Sequence, residues 1–234
     1  MTISNVLSIA GTDPTGGAGI HADLKAFSAI GTYGMAVITA VVAQNTRGVR
    51  SFMPLDPSFV GEQIDAVFDD VRVDAVKIGM VANAAITEVI ADRLHHHEAE
   101  TVVLDPVMVA KSGDRLLDDD AAAAIRDTLV PLATVITPNL PEAAVLLDTE
   151  DATNLRQMED QATQLRGLGC QWTLLKGGHL TNETVSVDYL AGPDGVSTYS
   201  SPRVETLNDH GTGCTLSSAI TALLPGHSVP ERVD

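Results

Sequence analysis

The sequence predicts an α/β fold in which a mostly parallel central sheet is covered by helices on both faces. Three observations predict it. Short apolar runs alternate along the chain with longer amphipathic stretches, the order of βαβ units joined by right-handed crossovers. The 234 residues are 44% hydrophobic but only 3% aromatic, so the core must be built from Ala, Val, Leu and Ile, which suits strands buried on both faces. The chemically unusual residues follow the apolar runs, at the strand carboxyl ends where open α/β sheets bind ligands.

NVLSIA at 5–10 reads as a buried first strand. A glycine-rich turn at 16–19 then opens a helix that runs through Ile30. MAVITAVVA at 35–43 is rich in β-branched residues and reads as one second strand. Residues 57–70 read as a helix, AVKIGM at 75–80 as a strand, and 83–97 as a helix. TVVLDPV at 101–107 is a short apolar strand ending in Asp-Pro. Residues 118–129 read as a helix whose first turn carries Asp, where the helix dipole favours it. TVITPN at 134–139 is a strand stopped at Pro138, followed by helices at 140–147 and 154–167. WTLLKGG at 172–178 is the next strand, and 185–200, with Gly-Pro-Asp-Gly at 192–195, reads as a hairpin. A last helix opens near Gly213. With no repeat, low-complexity run or linker, the expectation is one domain over 1–234.

Fourteen basic residues against 31 acidic ones give a formal charge of -17. Such a surface repels nucleic acid and anionic membranes. It still allows a phosphate ligand in a pocket made locally positive by helix N-termini and lysines. Simple solubility and a salt-adapted host both fit the charge. Two cysteines, Cys170 and Cys214, make no disulfide framework or zinc cluster. The N-terminus lacks signal character and no stretch reaches membrane-span length, so the expected place is a reducing cytoplasm.

Glycines at 11–19 let backbone amides approach a ligand. Gly17 to Ala22 also fits G-x-G-x-x-A, but the second strand ends at Gln44 with no acid for a ribose, which argues against a dinucleotide. No Walker A loop is present. A tight turn without a ligand is the plainer reading. In His210-Gly-Thr-Gly-Cys-Thr-Leu-Ser217, Gly211, Thr212 and Gly213 can aim free amides outward at a helix N-terminus, an anion site. Cys214 sits in the first turn, where the dipole lowers a thiol pKa; alternatively the segment is a cap with a small buried Cys. Asn139 and Glu142, one turn apart, suit either a hydrated Mg²⁺ or a plain helix cap. Asp105 before Pro106 steers metal or phosphate, or only forms a turn. Lys176 before Gly177-Gly178 neutralises phosphate oxygens, or is merely solvated. His95, His96 and His97 are consecutive on a helix and cannot share one metal. Cys170, in a loop, reads as inert.

Seven strings carry a resemblance over nearly the whole chain: IAGTDPTGGAGIHADLKAF (9–27), VITAVVAQNTRGV (37–49), VKIGM (76–80), VVLDPVMVAKSGD (102–114), ITPNLPEA (136–143), LLKGGH (174–179) and HGTGCT (210–215). Together they resemble the hydroxymethylpyrimidine and phosphomethylpyrimidine kinases of thiamine biosynthesis, within the ribokinase superfamily. The resemblance implies a ribokinase-like fold, ATP and Mg²⁺, and a homodimer. It implies a pyrimidine pocket at Gly11, Asp23, Gln44, Met80 and Val107, where the Gln44 amide can pair with a ring nitrogen and an exocyclic amine. It makes Gly211, Thr212 and Gly213 the anion hole and Cys214 the base. It assigns Lys176 to the nucleotide phosphates, beside the candidate Asp105, and Asn139 and Glu142 to phosphate and water-mediated metal. Relatives usually continue through a further helical stretch, whereas this chain stops at Asp234, so a domain lacking the usual C-terminal helical end is expected. Pyridoxal kinase is the alternative within the superfamily, and a non-catalytic pyrimidine-binding protein the alternative outside catalysis.

Overall fold

Both faces of β1 (Asn5–Ala10) are apolar, and Val6, Leu7, Ile9 and Ala10 are fully buried, so this strand lies inside the sheet. The structure, a computed structural model, describes residues 3–108, 117, 119–180, 185–204, 206 and 210–233. After β1 the chain turns into α1 (Gly19–Ile30), which stops at Gly31 in the left-handed region. β2 (Tyr33–Ile38) returns parallel to β1, pairing from Asn5↔Tyr33 to Ala10↔Ile38. The chain then leaves the sheet: β3 (Ala40–Asn45) and β4 (Gly48–Pro54) pair antiparallel as a separate ribbon. There follow α2 (Pro57–Phe68), β5 (Ala75–Ile78), α3 (Ala84–His96), β6 (Val102–Leu104), α4 (Asp119–Ala124), β7 (Val135–Ile136), α5 (Leu140–Leu147), α6 (Leu155–Arg166) and β8 (Trp172–Leu175). β9 (Val185–Gly192) and β10 (Gly195–Pro202) form the expected hairpin, and α7 (Thr212–Leu223) and α8 (Pro230–Val233) end the described chain. Among the described residues the main sheet has the order β10-β9-β8-β7-β6-β5-β1-β2, parallel from β8 to β2 and antiparallel at β9 and β10.

The period-2 alternation of the strands decides which helices cover which face. Leu7, Ile9, Val76, Ile78, Val102 and Leu104 point to the side packed by α2, α3, α5 and α6. Val6, Ala75 and Val103 point to the other side, packed by α1 and α7. Ser8 and Lys77 also face that second side, and they are fully buried there.

The run at 35–43 is not one strand. It breaks at Thr39, whose amide donates to the Ala10 carbonyl, whose hydroxyl donates to the Met80 carbonyl at 2.7 Å, and whose carbonyl accepts from Leu55. Past this anchor Ala40 and Val42 are buried while Val41 and Ala43 are exposed, the pattern of a ribbon with one wet face. No Gly or Pro marks the break, and β4 is mostly exposed, so neither left a periodic signal. The helix expected at 118–129 starts at Asp119, widens to a π turn over Ile125–Leu129 and tightens over Val130–Leu132; position 118, and 109–114 of the resembling string 102–114, lie outside the described residues. Strands β6, β7 and β8 are shorter than their apolar runs. That places Asp105, Asn139 and Lys176 just past their carboxyl ends, with Asn139 and Lys176 joined by one further parallel bridge. No helix among the described residues is long and apolar enough to cross a membrane.

Candidate active site

A cavity of about 450 Å³ opens at the carboxyl ends of the parallel strands, with the β3–β4 ribbon over one side. Gly11, Gln44, Met80 and Val107 line one part of it. Asp105, Asn139, Glu142 and Lys176 line another, and Gly211, Thr212, Gly213 and Cys214 form the wall between. The fold thus brings together residues up to 203 positions apart, from Gly11 to Cys214, that the sequence singled out separately.

Asp23 is the exception. It was expected at the pyrimidine pocket, whereas the structure places it fully buried and not among the residues that line the cavity. Its carboxylate accepts from the Ser8 hydroxyl at 2.6 Å and the Ser218 hydroxyl at 2.7 Å, and lies 3.0 and 3.1 Å from the Lys77 ammonium. A carboxylate on the inward face of α1 has to be neutralised there, and β5 supplies the cation.

The two glycine loops are built as one piece. Asp13, fully buried, accepts from the amides of Thr15, Gly17 and Ala18 at 2.9, 3.2 and 2.8 Å and from the Thr15 hydroxyl at 2.8 Å. It also pairs with His210 Nε2 at 2.8 Å, across 197 residues. Burial pushes this carboxyl up, but the bonds from His210, Thr15 and Ala18 outweigh it and hold it below the ordinary range. The loops meet backbone to backbone: a Cβ on Gly211, at φ 77°, would stand 1.7 Å from the Gly17 carbonyl oxygen. Only glycine fits there. Gly211 caps α7 without a side-chain cap bond, so the N-terminal turn of α7 borders the cavity on a backbone cap.

Lys176 crosses the floor in front of Gly213, where a Cβ would lie 3.2 Å from its ammonium. It bonds Asp105 at 3.1 Å. Burial works against its charge, but Asp105 and Glu142 more than restore it, so it stays protonated. Asp105 is also within 3.2 Å of the hydroxyls of Thr137 and Ser217. Asn139 and Glu142 form a reciprocal capping box at the start of α5: Glu142 N–H donates to Asn139 Oδ1 at 2.9 Å, and Asn139 N–H to Glu142 Oε2 at 2.8 Å. The helix-cap reading of this pair is therefore present in the structure, and the cap also faces the cavity. Burial drives the Glu142 carboxyl up to about 7, with Lys176 pulling it down and Asp105 pushing it up. Gln44 sits where the β3–β4 register shifts, and this bulge turns its amide inward. Among the described residues its amide has one weak tie, Nε2 to the Thr12 carbonyl at 3.5 Å.

Cys214 corrects the sequence reading in one respect. The helix dipole was expected to lower its thiol. Instead burial pushes the thiol above its ordinary range; Lys77 pulls it down, and Asp105 and Asp23 push it up. Sequence reasoning missed Asp13, His210 and Lys77. A lysine inside the apolar run AVKIGM was a usable signal, because a charge in a buried strand requires a partner. Asp13 and His210 lay inside quoted motifs, but only the fold shows that they touch.

The sequence matches the family model described as phosphomethylpyrimidine kinase over residues 13–234. It is 54% identical over 224 residues to the hydroxymethylpyrimidine/phosphomethylpyrimidine kinase of Escherichia coli K12, covering 96% of this chain and 84% of that protein. Among solved structures it is similar to the phosphomethylpyrimidine kinase of Clostridium difficile 630, at 44% identity and a TM-score of 0.87, over 98% of this chain and 94% of that one. It is also similar to the pyridoxal kinase of Bacillus subtilis, solved as an ADP complex, at 37% identity and a TM-score of 0.92, over 99% of this chain and 88% of that one.

Proposed function

The chain belongs to the phosphomethylpyrimidine kinase family, and from that premise we propose how its cavity carries out the reaction. It is an ATP-dependent kinase of thiamine biosynthesis that phosphorylates hydroxymethylpyrimidine and its monophosphate. One observation carries the assignment of roles. Cys214 and the helix N-terminus at Gly211 to Gly213 line the same cavity as Lys176 and the inward-turned Gln44.

The pyrimidine edge pairs with the Gln44 amide, while Gly11, Met80 and Val107 shape its slot. Its hydroxymethyl arm then reaches Cys214. The γ-phosphoryl group rests on the Gly211 to Gly213 amides, which offer fixed donors where charge spreads in the transition state. Lys176, held by Asp105, neutralises phosphate oxygens. Cys214 in its thiolate form accepts the hydroxyl proton as the oxygen attacks phosphorus; ADP leaves and the thiol is regenerated. For the monophosphate, the attacking atom is a phosphate oxygen in the same site.

Mg²⁺ fits the residues present as an outer-sphere guest. Among the described residues no cluster of three or more His, Cys, Asp or Glu side chains could hold a metal alone. Glu142 and Asn139 spend their cap bonds on each other, yet Glu142 is a buried carboxyl beside the cavity whose ionised form a divalent cation would favour. They would hold the ion through water, together with nucleotide phosphates, as Mg²⁺ prefers. When bound, it would neutralise phosphate charge.

Pyridoxal is the second reading, supported by the likeness to a pyridoxal kinase solved with ADP. Product masses after incubation with ATP and hydroxymethylpyrimidine, or with pyridoxal, with and without magnesium, decide both points. Mono- and diphosphates of the pyrimidine, formed only with magnesium and faster than any pyridoxal phosphate, are expected. A pyrimidine that binds but gains no mass would make the chain a binding protein. We place the protein in the cytoplasm, where Cys170 and Cys214 stay reduced. We also propose a homodimer that pairs through the β3–β4 ribbon, where Val41 and Met53, opposite one another, are 52% and 70% exposed.

A further inference from the structure

A lysine in a buried strand costs desolvation that a leucine would not. Lys77 is such a residue, fully buried on β5, and none of the steps above uses its charge. It borders the cavity, but its side chain has no exposed surface and its ammonium is bonded to Asp23. Its effect is therefore exerted through another group.

The geometry names that group. Cys214 and Ser218 are four residues apart on α7 and share one face of the helix. Ser218 donates to Asp23 Oδ1 at 2.7 Å, and Lys77 Nζ lies 3.1 Å from the same oxygen. This clamp, completed by Ser8, fixes α7 over β5 with Lys77 under one turn and Cys214 on the next turn toward the cavity. Among the described residues Asp23 is the ammonium's only hydrogen-bond partner, so its charge is not used up by a ring of acceptors. We propose that Lys77 is a positioning residue for the phosphoryl transfer: its ammonium, locked under the cavity floor, stabilises the negative charge on Cys214 when that side chain is ready to take the substrate's proton. This rests on the reading of Cys214 as the base.

The charged and titratable groups facing Cys214 are Lys77 from β5, Lys176 after β8, Asp23 from α1, Asp105 after β6 and Glu142 from α5; His210, before α7, is turned to Asp13. Burial is the largest influence on the thiol and opposes its ionisation. Lys77 comes next and favours it, ahead of the opposing Asp105 and Asp23. Removing Lys77 alone thus leaves burial and two carboxylates opposed only by the weaker pull of the Gly19 backbone and Lys176.

The test is the pH dependence of Cys214 alkylation by iodoacetamide in the ligand-free protein, read by peptide mass spectrometry. Lys77→Met is compared with wild type, and Lys77→Met/Asp23→Asn removes the carboxylate that the single variant orphans. In Lys77→Met the alkylation midpoint is expected to rise by about one pH unit or more. kcat at neutral pH should fall about tenfold with it, and the KM for ATP should stay in place. In the double variant the midpoint moves the same way but less, because an opposing charge has also gone. An unmoved midpoint in the folded double variant overturns the proposal, also where the single variant does not fold. Cys214→Ala separates the two readings. Full kcat in that variant removes the base role and leaves the alkylation shift standing, whereas an inactive Cys214→Ala with an unmoved alkylation profile removes only Lys77.

Discussion

At the scale of the residue, the proposed role of Cys214 as base makes the chemistry depend on when its thiol carries a charge. A thiol at a helix N-terminus is often acidic, but here burial and the carboxylates of Asp105 and Asp23 outweigh Lys77, and the thiol lies above its ordinary range. Near neutral pH the thiolate is the minor form. The sign follows: the active form of the base grows as pH rises, up to the raised pKa. Wild-type kcat should therefore climb on the alkaline side of neutrality, close to tenfold per pH unit. Cys214→Ala should lose that climb and run slower by about two or more orders of magnitude, the usual worth of a positioned base. Cys214→Asp should keep partial activity and move the climb to acid pH, since a carboxylate ionises there. Single-turnover rates across the pH range check this. An alanine variant that keeps both rate and slope would mean that the anion hole and the lysines do nearly everything, as a loose phosphoryl transition state permits.

At the scale of the element, α7 can present its amides only because the loop after β1 holds the loop before it. Asp13 joins them by accepting from Thr15, Gly17 and Ala18 on one side and pairing with His210 on the other. Asp13→Ala would orphan several of these donors in a buried place. The expected result is a loss of about 2–4 kcal/mol of stability, with a larger fall in kcat than in pyrimidine affinity, because the anion wall shifts while the Gln44 slot does not. Chemical denaturation together with steady-state kinetics reads both, and an unchanged kcat would show that the loops hold their shape without Asp13. The parallel strands and their helices were legible because each buries an apolar face with a clear period. The first glycine loop and Lys176 were legible because each follows a strand end, and the second glycine loop because it opens a helix. What could not be read depends on pairing. Thr39 breaks the β2–β3 run through bonds to Ala10, Met80 and Leu55, and nothing local to 35–43 announces it. Asp23 was placed at the pocket by the resemblance alone, and its own helix face turns it toward Lys77.

At the scale of the whole molecule, the ribbon links the cavity to the surface. Its inner side lines the cavity with Gln44 and Val49, while its outer side shows Val41 and Met53 to water, with Tyr33 59% exposed on β2, the strand just before it. A protein with a formal charge of -17 does not otherwise need apolar side chains on a two-stranded element. An isolated ribbon of two strands is also only marginally stable unless its second face is covered. A second copy of the chain answers both points, since pairing ribbon to ribbon would bury the apolar pair and hold each Gln44 in place. Self-repulsion between two acidic chains opposes this, so the contact should strengthen as salt screens the charge. Light scattering at working concentration should return twice the chain mass, more completely at high salt than at low. Met53→Lys should give a monomer whose KM for the pyrimidine rises several-fold while its fold is kept. A monomer mass for wild type at every salt concentration, or a Met53→Lys variant that remains dimeric, would mean that the ribbon stands alone.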